Sequence, residues 1–426
     1  MITSMNWKIG LGFLALLACT FFFLGYDQVF FLDPQGIHFI RQTDSLSFVS
    51  QYYNTGSDFF ETRLFNLESI EARGMCEFPI LYYITAKLYT IFGQKVYLLK
   101  IINLSIVYTG VYCVFKMSYL ILKDYAYAIL IALFLLTSTI FNYYALNYLP
   151  DPAALGFVLI GWYFFFRFET QKKKWGLLTS FFFFTLAGLI KVTFLISPLA
   201  IIVYYISSLL FKQMVFNKAI RLYLIALILG VAIVALYNVY VIYYNALYQS
   251  DYFTTASRPI WSLTSENIAI VWDYITVYWY HIYFSRTSFH VLLAFILLQM
   301  FFFKKSSPKI AALTGILCLG SLAYFILFYA QFRDHDYYFL VFIPLIVFII
   351  INAIKTAQNI VPSKKIHLVA KIGLIAVVIY GLNFSRRKLE NRYEAGYDDF
   401  SRISFILRDE MPSIEKLEIP QNAKVI

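Results

Sequence analysis

Residues Leu222–Tyr244 read LYLIALILGVAIVALYNVYVIYY, a run without one charged side chain. An α-helix rises about 1.5 Å per residue, so about 20 apolar residues cross the roughly 30 Å hydrocarbon core of a bilayer. The run is long enough, and Lys212, Lys218 and Arg221 stand just before it. The pattern recurs at Ile9–Phe31, Tyr97–Leu122, Tyr125–Phe141, Pro152–Phe168, Trp175–Ile190 and Phe194–Phe211. It returns at Phe289–Phe303, Ile310–Tyr329, Tyr337–Ala353 and Ile366–Phe384. Together these runs predict an all-α polytopic membrane protein with about 11 transmembrane helices.

Composition agrees. Hydrophobic residues make up 61% of the 426 and charged ones 14%, against about 45–50% and about 25% in a soluble domain. The net charge of +11 does not point to nucleic acid. Most of the Lys and Arg lie in short loops between apolar runs, where they set orientation. Three of the four cysteines, Cys19, Cys113 and Cys318, fall inside apolar runs and Cys76 stands alone in a polar loop. That spacing makes neither a disulfide framework nor a metal motif.

Cytoplasmic loops carry an excess of Lys and Arg. Four loops do so here: Lys172–Lys174, then Lys212, Lys218 and Arg221, then Lys304, Lys305 and Lys309, then Lys355, Lys364 and Lys365. With eleven spans and a cytoplasmic N-terminus, all four fall on the cytoplasmic side. The same topology sends Asp44, Glu61, Glu68, Glu71, Glu77, Asp151, Asp251, Glu266, Asp334 and Asp336 outward, with Asp124 and Glu169 as exceptions. Carboxylates contribute little to topology, so the asymmetry suggests an outer-face site; plain solvated loops are the alternative. Two outer loops are long. Residues 32–96 carry apolar side chains at helical spacing, which predicts one or two amphipathic helices in the interface. Residues 245–288 hold Trp261, Trp272 and Trp279, as a headgroup-level aromatic belt does. A transmembrane domain over 1–385 is followed by an extracytoplasmic tail, 386–426, that reads as the start of a truncated soluble domain.

Several outer motifs could carry chemistry. In His38-Phe-Ile-Arg41-Gln-Thr-Asp44, Arg41 and Asp44 share a helical face, as an ion pair or with Asp44 as a general base. Glu77-Phe78-Pro79 suits a helix start or an acceptor clamp. Asp151, between Pro150 and Pro152, is a helix cap or an acid of the site. Lys191, in a tight turn, either snorkels or neutralises a lipid phosphate. His335 and Tyr338, in Arg333-Asp-His335-Asp-Tyr-Tyr338, contact a phosphate, steer an acceptor or anchor the interface. Arg258 and Arg286 are weaker candidates for the phosphate.

These motifs, in this order, resemble the GT-C glycosyltransferases, in particular the bacterial branch of protein O-mannosyltransferases and lipid A aminoarabinose transferase. The residues that carry the likeness are Arg41-Gln42-Thr43-Asp44, Glu77-Phe78-Pro79 with Tyr82-Tyr83 and Ile91-Phe92-Gly93, Pro150-Asp151, Lys191 after Ala187-Gly188-Leu189, and His335 with Tyr337-Tyr338. The resemblance implies a GT-C-type bundle with amphipathic periplasmic juxtamembrane helices, in the bacterial inner membrane, with the active site outside. It implies an inverting transferase that moves sugar from a polyprenyl-phosphate donor to a lipid-linked glycan, lipopolysaccharide or protein. Asp44 would then be catalytic. Glu77 and Asp151 would bind the acceptor or a divalent cation. Lys191, His335, Arg41, Arg258, Arg286 and Tyr338 would face the carrier phosphate. The sequence departs from the pattern in two places: the first motif lacks a paired Asp-Glu, and position 78 is Phe where the aminoarabinose branch has a basic residue.

Two other readings stand beside this one. A lipid or polysaccharide transporter would place ionisable residues near the bilayer midplane, whereas these spans are nearly uncharged. An O-antigen ligase or polymerase would use an outer loop rich in Arg, and 245–288 has only Arg258 and Arg286.

Overall fold

The computed structural model describes residues 7–65, 69–171, 174–212, 217–253 and 257–393. Glu68, Lys172 and most of the expected tail domain lie outside the described residues. Fifteen α-helices of seven or more residues organise the rest. They are α1 Trp7–Phe23, α2 Phe39–Thr55, α3 Ile80–Phe92, α4 Tyr97–Leu122, α5 Tyr125–Leu135, α6 Thr139–Ala145, α7 Asp151–Gln171 and α8 Lys174–Ile190. After these come α9 Ile196–Leu210, α10 Lys218–Leu247, α11 Ser265–Asp273, α12 Arg286–Phe301, α13 Pro308–Leu327, α14 Ile343–Ile360 and α15 Lys364–Arg392. Among the described residues the only extended pairing is an isolated bridge between Arg63 and Arg73, so the expected all-α class holds.

Among the described residues the count of about eleven spans is not confirmed. Seven helical segments are long and apolar enough to cross a membrane, and nine if each of two bent pairs makes one crossing. The two remaining expected spans coincide with α1 and α8, each of 17 residues, which is about 25 Å of helix and shorter than a perpendicular crossing. The expected span 125–141 breaks. Ser138 Oγ accepts from Phe141 N at 3.3 Å and starts a new helix, so α5 and α6 meet at 76°. Asn142 Nδ2 donates to Leu136 O at 2.6 Å and satisfies a carbonyl freed at the break. The expected span at 289–303 is the second arm of a pair bent by 98°.

Helix α7 is the axis of the bundle, buried on nearly every face. It lies between α4 and α8. Gly110 of α4 and Gly156 of α7 permit the crossing, because a Cβ on Gly156 would meet Ile106 O at 2.8 Å and one on Gly110 would meet Gly156 Cα at 3.0 Å. Small residues at such crossings let helix backbones approach, and dispersion replaces the hydrophobic effect that lipid does not provide. The long first loop supplies two helices, α2 and α3. The second buries Leu81, Tyr82 and Tyr89 and exposes Ile84, Ile91 and Phe92, as an interfacial helix does.

The two ends of the bundle differ. At one end Lys371 reaches Asp124 at 2.5 Å and Lys309 pairs with Glu169. Ser306 and Thr356 hydroxyls meet there at 2.8 Å, and Asn359 Nδ2 donates to Lys305 O. This is the end expected to be basic, and the two exceptional acids are the partners of its lysines. The other acidic motifs gather at the opposite end.

Candidate active site

At the acidic end, backbone contacts bring three separated motifs together. Phe78 N donates to Leu189 O at 3.1 Å, which ties Glu77 beside the turn that carries Lys191. Asn245 of α10 clamps Met75, two residues before Glu77, its Oδ1 accepting from Met75 N and its Nδ2 donating to Met75 O, both at 2.8 Å. Asn103 Nδ2 donates to Asn147 O and Leu149 O and fixes the turn that leads to Asp151.

Two ion pairs result. Arg41 Nη2 donates to both Glu77 oxygens, at 2.6 and 2.7 Å, and Tyr82 OH donates to Glu77 Oε1. Lys191 Nζ lies 3.1 Å from Asp151 Oδ1 and over the rings of Tyr337 and Tyr338, 5.5 and 5.0 Å from their centroids. The pairing of Arg41 with Asp44 suggested by their spacing is replaced by this longer connection. Asp44 instead accepts from Tyr252 OH at 3.0 Å.

Electrostatics follow from burial and pairing. Burial alone would raise the Glu77 pKa, but the charge and hydrogen bonds of Arg41 overcome it and hold the carboxyl down at about 2. Burial raises the Asp44 pKa from its ordinary value, against the pull of Arg41 and Tyr252. Burial, then the influence of His38 and Lys191, push His335 down to about 3, so its imidazole is neutral near pH 7. Burial would lower Lys191, and the facing Asp151 reverses that and keeps it protonated.

A cavity of about 210 Å³ opens between these groups, and Glu77, Lys191, His335 and Tyr338 line it. Thr193 Oγ1, Tyr237 OH, Gln331 Oε1 and His335 Nδ1 belong to lining residues, are buried, and have no hydrogen-bond partner among the described residues. A buried polar atom without a partner costs about 1–3 kcal/mol, so this wall is built for a polar occupant. Arg41 and Asp151 join the cavity through their ion pairs. Asp44 flanks it, since Tyr252 is followed by the lining residue Phe253, whose ring lies 5.6 Å from the Arg41 guanidinium carbon. Arg258 and Arg286 are exposed and do not line it. Arg258 contributes its carbonyl to Ala330 N, and Arg286 begins α12.

Sequence reasoning missed a third buried pair. Asp336 is fully buried and accepts from Arg392 Nη2 and Tyr144 OH, both at 2.5 Å, and from His38 Nε2 at 3.1 Å. Arg392 sits at the start of the polar tail, where nothing in the pattern marks it as buried. The donors present do not fit the expected divalent cation. Glu77 and Asp151 each already face a positive side chain, and among the described residues no three of His, Cys, Asp and Glu gather.

The helical bundle shares its fold with solved structures of low sequence identity. Two solved structures that share it are of ArnT from Cupriavidus metallidurans. The apo structure superposes with a TM-score of 0.50 at 13% identity, over 80% of this chain and 60% of that one. The structure bound to undecaprenyl phosphate superposes with a TM-score of 0.55 at 14% identity, over 95% and 73%. By the first comparison this chain spans about three-fifths of ArnT. No family model matches the sequence, and no curated protein does.

Proposed function

We propose that the protein is an inverting glycosyltransferase that moves a sugar from a polyprenyl-phosphate donor to an acceptor hydroxyl outside the bacterial inner membrane. The observation that carries this reading is the cavity, whose edge combines Lys191 with four unpartnered buried polar atoms at the end of a membrane bundle. A prenyl chain would lie in lipid while its phosphate meets Lys191. The ArnT structure with undecaprenyl phosphate supports the donor class, and the excess of lysine at the opposite end supports the orientation.

The chemistry needs two things. Negative charge develops on the carrier phosphate as its bond to the anomeric carbon breaks, and a preorganised cation stabilises it. Lys191, held by Asp151, supplies that cation. The acceptor oxygen forms the new bond from the opposite face, which inverts the centre, and its proton passes to a carboxylate. Asp44 fits that role because its pKa is raised and it flanks the cavity. Glu77 is committed to Arg41 and orients the wall. Neutral His335 can exchange a hydrogen bond with sugar or phosphate through Nδ1. The reading has no step through a metal. The acceptor is a lipid-linked glycan, lipopolysaccharide or protein.

The test is sugar transfer from synthetic polyprenyl-phosphate sugars in detergent. Wild type should transfer, and Asp44→Asn should not while still binding prenyl phosphate. Full transfer by the variant removes Asp44 from its role, and no transfer by wild type from any such donor ends the reading.

A further inference from the structure

We propose that Asp336 is a positioning residue of the transfer site, and that its bond to His38 fixes the wall of the cavity relative to the helix that carries Asp44. Neither Asp336 nor His38 lines the cavity; both act through side chains beside them. This inference rests on the transferase reading and adds two residues to which that reading gives no role.

Asp336 lies in the middle of the segment that forms one wall. His335 and Tyr338 line the cavity, and the rings of Tyr337 and Tyr338 face Lys191. Between them, Asp336 is fully buried. The backbone here is a 3-10 turn, Asp336–Phe342, entered by His335 N donating to Gln331 O at 2.9 Å. A 3-10 turn has poorer hydrogen-bond geometry than an α-helix, so an outside anchor matters more to where it sits.

Asp336 is anchored by donors from distant parts of the chain. Arg392 Nη2, at the end of α15, donates to Oδ2 at 2.5 Å. Tyr144 OH, in α6, donates to Oδ1 at 2.5 Å. These two hold the carboxylate still. His38 Nε2 lies 3.1 Å from the same Oδ1, and since a carboxylate only accepts, Nε2 carries the hydrogen and donates. A hydrogen bond to an ionised acceptor is about twice as strong as a neutral one. Arg392 already balances the charge of Asp336, so the bond from His38 adds position rather than charge compensation.

His38 is the residue from which α2 starts. Its φ is +59°, a left-handed conformation that a residue with a Cβ seldom adopts and that persists where the surroundings impose it. Gln42 N donates to its carbonyl at 3.0 Å, so the helix is built on it. The first two turns of α2 carry Arg41 and Asp44. The imidazole also packs against the rings of His335 and Tyr337, with centroids 5.6 and 5.1 Å away. One carboxylate therefore sets both the wall that receives the donor and the helix that bears the base. A misplacement of about 1 Å at such a site costs about a hundredfold in rate.

Changing Asp336 itself would leave Arg392 buried without its charge partner and would test folding instead, so the experiment cuts the tether at its other end. His38→Gly and His38→Gln are compared with wild type in detergent. Glycine keeps the left-handed start of α2 without strain and removes the imidazole. Glutamine restores a side-chain N–H at similar reach. His38→Gly should lose at least about tenfold in kcat for transfer from a prenyl-phosphate sugar, while its Kd for prenyl phosphate stays within about twofold of wild type. His38→Gln should recover most of the kcat. The proposal is overturned if His38→Gly transfers like wild type, if kcat and prenyl-phosphate affinity fall together, or if glutamine recovers nothing. Wild type that transfers nothing would retire the transferase reading. The tether is then judged by hydrogen exchange of the amides of residues 41–45. Faster exchange in His38→Gly, restored in His38→Gln, keeps the tether, and equal exchange in all three proteins ends it.

Discussion

Both ends of the bundle join carboxylates to cations beside tyrosines, yet they are built to different purposes. At the basic end Glu169 takes Lys309 and Tyr205, the latter at 2.5 Å, and Asp124 takes Lys371. These pairs bridge helices and do not border the cavity described above. At the acidic end the pairs Arg41–Glu77 and Lys191–Asp151 surround open space, and polar atoms beside them are left without partners. Pairing alone therefore says little about function. A pair beside unsatisfied atoms and a cavity points to a ligand, whereas a pair that closes on itself points to architecture.

Variants can break or sharpen that contrast. The largest effect is expected for Arg41→Met, which leaves Glu77 buried and uncompensated. Denaturant or thermal unfolding in detergent should show a loss of about 3–5 kcal/mol. The double variant Arg41→Met/Glu77→Leu should recover most of that stability, since apolar replacement of a buried pair is often neutral. It should still transfer no sugar, because its recovered fold lacks the oriented wall. Recovered transfer would reduce the pair to architecture.

Lys191→Gln comes next. Removing one charge-assisted contact of about 1.5–3 kcal/mol should weaken prenyl-phosphate binding by roughly ten- to a hundredfold, read by titration in micelles. Unchanged binding would place the phosphate elsewhere.

The pH dependence separates Glu77 from Asp44. The Glu77 pKa is lowered from 4.5 to about 2, so its contribution to stability is complete above about pH 4.5 and disappears as pH falls through about 2. The Asp44 pKa is raised, so its carboxylate is lost at higher pH than that of an ordinary Asp. Transfer should therefore fail on acidification while the protein is still folded, as activity and circular dichroism measured together would show. Tyr252→Phe removes a donor that favours the charged form, so it should move this acid limb upward. An unmoved limb would assign the titration to another group.

The smallest effect belongs to the basic end. Lys371→Ala should cost no more than about 1 kcal/mol, since both partners are partly exposed, and transfer should be unchanged. A large loss of transfer would show that the basic end also takes part in function.

Much of this organisation could be read from the chain. The uncharged runs gave the class, and the loop lysines separated the two ends, because insertion into lipid leaves a direct record in sequence. Glu77, Lys191, His335 and Tyr338 were singled out as interfacial polar residues in turns, and the fold gathers them around one cavity. What could not be read were partnerships across many residues. Spacing suggested Arg41 with Asp44, but Glu77, 36 positions later, takes the guanidinium. Tyr252 was one tyrosine among 36. Arg392 looked like a tail residue until α15 was seen to carry it to Asp336. The break after Leu135 was hidden because the apolar run continues through it, and Ser138 alone is a weak sign of a helix start.

The bond from Phe78 N to Leu189 O has a broader implication. Main-chain atoms make it, so either side chain can be exchanged without loosening the join. Loop lengths are another matter: one inserted residue on either strand of the join would slide Glu77 past Lys191. Side chains beside the cavity can therefore change while the main chain sets the number of residues from the join to Glu77 and to Lys191.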